Sequence, residues 1–282
     1  MKTGLIMEGG AMRGLFTAGV IDVFMEHNII FDGAIGVSAG AAFGCNYKSR
    51  QIGRVIRYKT KFVQDRRYCG FPVLLKTGNY YSTEFCYGEV PLKYDIFDFD
   101  ACQSNPMKFY VVCTDISTGK PVYHEFTGKK AEGFDWIRAS ASMPLVSQIV
   151  TINGQKLLDG GISDSVPVQH FARMGYDKNV VILTRPRGYV KKPCGYLPLI
   201  RGKYRNYPNM IRAMKHRHEK YNDTMEYIRK QEQAENLLVI APKEPLPLSR
   251  VERKPENLRK AYEIGRTAGM EYLEMVKKFL SL

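Results

Sequence analysis

The stretch Gly33-Ala34-Ile35-Gly36-Val37-Ser38-Ala39-Gly40-Ala41-Ala42 decides how this chain folds. Its first five residues are a short apolar run suited to a buried strand, and residues 39–47 read as the helix that follows. The same order occurs upstream. Residues 5–7 are apolar and run into Glu8-Gly9-Gly10, after which a helical pattern covers about residues 15–27. Strand, turn and helix, twice in succession, are the mark of a parallel, doubly wound sheet. Residues 109–114 and 122–126 read as strands joined by a turn at 117–120, and 179–183 and 237–240 are further short apolar runs that fit buried strands. Two amphipathic helices follow in the C-terminal part. One carries Ile211, Met214, His218, Tyr221, Met225 and Ile228, and the other Leu258, Ala261, Tyr262, Tyr272, Leu273, Val276 and Leu280. His218 lies on a stripe and reads as a packed or partly exposed helix residue, not a ligand.

Composition sets the outer limits. The 282 residues, 44% hydrophobic and 25% charged, suit a folded protein of one large domain or two small ones and exclude a disordered chain. No run approaches the roughly 18–20 apolar residues that span a bilayer. The first ten residues hold one lysine, glycines and Glu8, which is not a signal-peptide layout. The six cysteines show no C-x-x-C pair and no metal spacing with histidine, so reduced, mostly structural thiols in a cytoplasmic protein are expected, with no metal and no cofactor. The net charge of +14 is unevenly spread. Residues 1–172 carry a net +2 and residues 173–282 a net +12; residues 185–220 alone hold eleven basic side chains against Glu219. Tyr189, Tyr196, Tyr204 and Tyr207 and prolines 186, 193, 198 and 208 are interleaved there, which favours a loop or broken segment over one helix. Such a block attracts anionic partners, but it contains no recognised nucleic-acid motif.

Three short segments carry chemistry. Gly36-Val37-Ser38-Ala39-Gly40 is a G-x-S-x-G pentapeptide at a strand-to-helix junction, the setting of a nucleophile elbow. Taken alone it is equally a glycine-rich turn with an incidental serine. Glu8-Gly9-Gly10-Ala11-Met12-Arg13-Gly14 also follows a strand, and such a loop leaves backbone N–H groups free for an oxyanion or a phosphate. A dinucleotide fingerprint fails at Ala11, and no Walker loop is present, so an oxyanion hole is the better reading. Asp159-Gly160-Gly161 can project a carboxylate from a tight turn, although a plain D-G turn is common.

Taken together, and in this order, the three segments resemble the bacterial patatin-like phospholipases. Flanking stretches add to the likeness: Thr114-Asp115-Ile116-Ser117-Thr118-Gly119-Lys120, Arg138-Ala139-Ser140-Ala141-Ser142-Met143-Pro144 and Ser165-Val166-Pro167-Val168. The likeness covers about residues 3–184. Ala11, where a third glycine is common, departs from it mildly. The resemblance implies an α/β, three-layer patatin-like fold with a mostly parallel central sheet. A catalytic domain at 1–184 is then followed by a basic, mainly helical C-terminal extension at 185–282, packed on it or capping it.

The resemblance further implies a lipid acyl hydrolase, a serine esterase acting through an acyl-enzyme. Ser38 would be the nucleophile and Asp159 the base, with no histidine between them. Gly9, Gly10, Ala11, Met12, Arg13 and Gly14 would form the oxyanion loop, helped by the N–H of Ala39. Gly36 and Gly40 would shape the elbow, and Gly160 and Gly161 the turn after the aspartate. Arg13 would organise the loop, or alternatively contact a phosphate. His170 and Asp115 are the weaker candidates for the base. The expected substrate is a phospholipid or related lipid ester. Residues 185–220 would offer a surface for anionic headgroups, placing the protein in the cytoplasm or at the inner face of the membrane. The contrasting expectation is a non-catalytic protein of the same fold that binds anionic membrane or nucleic acid through its basic region.

Overall fold

The computed structural model describes residues 1–130, 132–249 and 251–281. Its strands are β1 (Lys2–Met7), β2 (Gly33–Val37), β3 (Lys108–Asp115), β4 (Lys120–Glu125), β5 (Val150–Ile152), β6 (Gln155–Asp159), β7 (Tyr176–Ile182) and β8 (Leu237–Ile240). They form one mixed sheet in the order β5-β6-β3-β2-β1-β7-β8, with β4 on β3. The pairs β1–β2, β1–β7, β2–β3 and β7–β8 are parallel; β4 and the β5–β6 hairpin run antiparallel to their neighbours. The doubly wound core expected from the sequence is therefore present, with an antiparallel margin.

The helices are α1 (Gly14–Glu26), α2 (Ala39–Lys48), α3 (Arg54–Phe62), α4 (Phe71–Thr77), α5 (Phe99–Ser104), α6 (Asp135–Ser140), α7 (Val168–Arg173), α8 (Leu197–Lys203), α9 (Pro208–Gln233) and α10 (Pro255–Leu280), with a π-helical segment at Phe85–Tyr94. Alternation along the strands divides the core. Leu5 and Met7 of β1, Ala34 of β2 and Val180 and Ile182 of β7 pack with Phe16, Val20 and Phe24 of α1 and Val276 of α10. Ile6, Ile35, Val37, Val181 and Val239 face the other way, onto Phe171 of α7 and Tyr221 and Ile228 of α9. The result is three layers with an apolar filling on each side of the sheet.

The C-terminal part is built into this core. β8 extends the sheet beside β7. α10 crosses α1 at backbone contact, where Gly19 and Gly265 leave no room for a side chain: a Cβ on Gly265 would lie 2.0 Å from the carbonyl oxygen of Phe16. Residues 185–220 contain α8 and the first half of α9, with Pro208 at the start of the latter, where a missing N–H costs nothing. All six cysteines are unpaired thiols, four of them buried. No described helix is long and apolar enough to cross a membrane.

One detail of the sheet positions the chemistry. β3 pairs with β4 from Tyr110 to Asp115. Over the same length its partners are β2, ending at Val37↔Val112, and then β6, beginning at Cys113↔Asp159. One edge holds one partner at a time, so β2 and β6 share the edge opposite β4 and abut end to end. Consecutive residues of β3 thus register the residue before Ser38 and Asp159 itself. The β5–β6 hairpin that delivers Asp159 turns through Asn153 (φ 49°) and Gly154 (φ 78°), the left-handed pair favoured in a two-residue hairpin loop.

Candidate active site

Ser38 occupies a sharp turn between β2 and α2, with φ 54° and ψ −117°. A non-glycine residue there is strained and is held only where its surroundings enforce the turn. Here the enforcement is backbone crowding. A Cβ on Gly36 would sit 2.4 Å from the carbonyl oxygen of Gly40, and one on Gly40 would sit 2.3 Å from that of Met7. The N–H of Ser38 donates to Oγ of Ser140 at 2.9 Å, and that hydroxyl donates to the carbonyl of Val112 at 2.6 Å. The end of α6 therefore ties the elbow to β3.

Oγ of Ser38 donates to Oδ2 of Asp159 at 2.6 Å. Oδ1 of Asp159 accepts the N–H of Gly161 at 2.8 Å, which fixes the carboxylate plane. The aspartate backbone is held as well: its N–H donates to the carbonyl of Ser142 at 2.9 Å, and its carbonyl accepts the Thr114 hydroxyl at 2.9 Å. Ser38 and Asp159 are 8% and 7% exposed, so the pair is buried yet reachable. Burial raises the pKa of Asp159 above the usual carboxylate range, against the bond from Ser38, the charge of Arg217 and the Gly161 N–H, which lower it. The arrangement makes the aspartate a stronger base than a free one, in direct contact with a hydroxyl.

The glycine loop lies against this pair. A Cβ on Gly9 would be 3.1 Å from that of Ser38, and one on Gly14 would be 2.8 Å from that of Ala39. Ala11 adopts φ 49°, so it takes a left-handed conformation that a glycine would adopt without strain. Ala11–Arg13 form a single 3₁₀ turn closed by the Arg13 N–H on the Gly10 carbonyl, with Met12 buried beneath it. Among the described residues, the N–H groups of Gly10, Ala11 and Ala39 meet no acceptor, as expected at the start of a helix or turn.

Residues to which the sequence assigned no role at the site also support it. Glu8, 2% exposed at the end of β1, accepts the Tyr221 hydroxyl at 2.8 Å through one oxygen and the N–H and hydroxyl of Thr184 at 2.6 and 3.0 Å through the other. Arg217 of α9 donates its Nε–H to the carbonyl of Gly161. The weaker candidates stand elsewhere. His170 stacks on Tyr123 with ring centroids 3.4 Å apart, and Asp115 accepts the N–H of Ser117 in the turn after β3.

Two cavities meet at Ser38. One, of about 820 Å³, runs from Ala11, Met12 and Ala39 to Phe43, Tyr58, Val90 and Ile137, and is lined largely by aromatic and aliphatic side chains. The other, of about 1150 Å³, opens past Asp159 and is edged by Arg13, Lys191 and Arg217. A hydroxyl beside a buried carboxylate, with free N–H groups next to it and an apolar cavity on one side, is equipped for acyl transfer. Among the described residues, no three His, Cys, Asp or Glu side chains gather as a metal site.

The chain is similar to several known proteins. The chain is 32% identical to the uncharacterized protein YjjU of Escherichia coli strain K12, covering 99% of this chain and 79% of that one. It is 28% identical to lysophospholipase NTE1 of Meyerozyma guilliermondii, over 61% of this chain and 12% of that much longer protein. The crystal structure of VipD from Legionella pneumophila overlaps 97% of this chain and 67% of its own with a TM-score of 0.47 at 12% identity. Residues 207–281, which include α9 and α10, match a domain family of unknown function, DUF6363. Residues 5–172, which carry the glycine loop, the elbow and the Asp159 turn, match the patatin-like phospholipase family model, and the chain belongs to that family.

Proposed function

We propose that this protein is a lipid acyl hydrolase in which Ser38 and Asp159 form the catalytic dyad. The observation that carries the reading is the 2.6 Å bond from the Ser38 hydroxyl to Asp159, formed where an apolar cavity meets a basic one. Oγ of Ser38 adds to the ester carbonyl while its proton passes to Oδ2 of Asp159. The N–H groups of Gly10, Ala11 and Ala39 receive the oxyanion, and removing one such donor typically costs about 10²–10³ in rate. The tetrahedral intermediate collapses, the C–O bond to the alcohol breaks, and the alcohol leaves with the proton from Asp159. Water then attacks the acyl-enzyme with Asp159 again as base, releasing the acid and restoring Ser38. The acyl chain occupies the apolar cavity. The alcohol portion, with any phosphate, faces Arg13, Lys191 and Arg217.

The basic segment supports a lipid-surface site of action. Val190 and Leu199 are exposed among Lys192, Arg201, Lys203 and Arg205, a mixture that suits the boundary between headgroups and acyl chains. Tighter binding to anionic than to zwitterionic vesicles, weakened by salt, is expected; equal binding would remove this part of the proposal.

The decisive experiment is a lipid ester panel assayed with wild type, Ser38→Ala and Asp159→Asn, beside fluorophosphonate labelling. Hydrolysis and labelling are expected in wild type and lost in Ser38→Ala, with both variants folded. Activity retained in Ser38→Ala would overturn the dyad. Salt-sensitive binding of an anionic polymer with no hydrolysis would favour the non-catalytic alternative.

A further inference from the structure

The apolar cavity contains a basic side chain that the mechanism does not use. Lys59 of α3 is 7% exposed, and its side chain lines the cavity that begins at Ser38. Its Nζ lies 5.0–5.8 Å from the ring centroids of Tyr81, Tyr68, Phe43 and Tyr58. Those rings offset part of the cost of burying an ammonium. Among the described residues, however, no oxygen accepts any of its three N–H groups and no carboxylate is within ion-pair distance.

The contrast with Arg54 is informative. Arg54 borders the same cavity, but its guanidinium donates to the Asp95 carbonyl and to Oδ1 of Asn46, and it pairs with the Asp95 carboxylate at 3.3 Å. Its charge is answered within the protein. Around Lys59 stand phenols and the thiols of Cys69 and Cys86, all of which burial keeps protonated. Burial lowers the pKa of Lys59, so its ammonium form, with donors unmet by the protein, is one that an anion in the cavity would stabilise. The Phe43 ring, against which Lys59 rests, also borders the space beside Gly14, where Ala39 stands. Ser38 and Lys59 line one cavity, so an acyl chain whose carbonyl is at Ser38 extends toward the lysine.

We infer that Lys59 sets the specificity of this cavity for acyl chains that bear a second carboxylate, whose oxygens receive the ammonium N–H groups. The inference rests on the lipid hydrolase reading for the word acyl, but the carboxylate site is a matter of binding and is measured separately. The carboxylate contributes what the cavity lacks, and the aromatic walls take the methylenes between the two ends. A saturated chain ending in a methyl group leaves the lysine uncompensated.

The test uses the Ser38→Ala protein, which cannot turn its ligand over. Binding of a length series of monomethyl dicarboxylates is measured by calorimetry beside methyl monocarboxylates of equal length. At the length that spans Ser38 to Lys59, the carboxylate-bearing ester is expected to bind at least about tenfold tighter. Adding Lys59→Met is expected to reverse the order, and Lys59→Arg to keep it; a melting curve for each variant shows that it is folded. Equal or weaker binding of the carboxylate-bearing series at every length in Ser38→Ala alone would overturn the proposal, whether or not the lysine variants fold. In parallel, wild type is offered both series as substrates. Cleavage of both without a binding preference sinks the carboxylate site and leaves the hydrolase. A binding preference without cleavage of either supports the site and sinks the hydrolase.

Discussion

Arg217 reaches from the C-terminal helix α9 to donate its Nε–H to the carbonyl of Gly161, two residues beyond Asp159. It also lowers the pKa of that aspartate through its charge, while burial raises it. The base of the proposed dyad is therefore tuned by a residue that lies in the DUF6363 segment, outside the matched patatin-like region. The proposed mechanism needs the ionised aspartate, so activity is expected to fall as pH drops through its pKa. In Arg217→Met the lowering influence is gone, and the acid limb of kcat/KM is expected at higher pH than in wild type, with a loss of about tenfold or more at the optimum. Arg217→Lys should restore part of the limb position. An unmoved limb would show that the guanidinium only braces the turn.

Ser140 is expected to matter for rate without touching substrate. Its hydroxyl bridges the Ser38 N–H and the Val112 carbonyl, and Ser140→Ala leaves both buried groups without that partner. The cost is about 1–3 kcal/mol of stability. The strained elbow also loses its tether, so kcat should fall by roughly 10–100-fold while KM stays close to its original value. Steady-state kinetics on a soluble ester, with a denaturation curve, checks both parts.

The pH dependence of stability has a source far from the dyad. Asp22 of α1 is buried, and Oδ2 accepts the Tyr262 hydroxyl at 2.6 Å and the Gly53 N–H at 3.0 Å. Burial pushes its pKa up to about 6, against those two bonds and the charge of Arg266. The folded state therefore holds this proton more tightly than the unfolded one. Its contribution to stability is fully present below the ordinary carboxylate pKa of about 4 and is lost as pH rises to about 6, a span on the order of 2–3 kcal/mol. Asn at this position keeps an acceptor oxygen for both donors. Asp22→Asn should flatten this dependence and be at least as stable as wild type at pH near 7, as followed by urea unfolding across the range.

At the α1–α10 crossing, Gly265→Ala would force a methyl group to within 2.0 Å of the Phe16 carbonyl oxygen. The helices must separate, at about 1–3 kcal/mol or more. Melting should fall by roughly 2–4 °C for each kcal/mol. Loss of esterase activity and loss of far-ultraviolet circular dichroism should remain superimposed on heating, because α10 belongs to the same core as the dyad. Two separate transitions would show that the C-terminal part melts alone.

The contrast between what the sequence displayed and what it hid has a physical basis. β2 is found at Gly33–Val37 as the apolar run suggests, and β8 at Leu237–Ile240, because buried strands advertise themselves by continuous hydrophobicity. Ser38, Asp159 and the glycine loop stood out as a candidate site only together, because each glycine-rich turn is common alone and their order is not. The walls of the apolar cavity were not. Tyr58, Tyr68, Tyr81 and Val90 come from α3, a loop and a π-helical segment, whose residues follow no single period. Arg217 and Tyr221 lie within a basic stretch and an amphipathic stripe, where one side chain reads like its neighbours until α9 is laid on the sheet. Asn153-Gly154 did carry a hairpin signal, which accounts for the way Asp159 is delivered.

The shared edge of β3 has a mechanical consequence. Serine and aspartate approach each other because Val37 and Asp159 stand in register with adjacent positions of one strand. Their separation is written into a backbone ladder, so the usual breathing of helices over a sheet displaces both ends together. Pulling the pair apart means unzipping the central strand, an event as rare as unfolding itself. Heat should therefore abolish turnover only when the whole molecule melts, with no cooler interval of folded but misaligned protein.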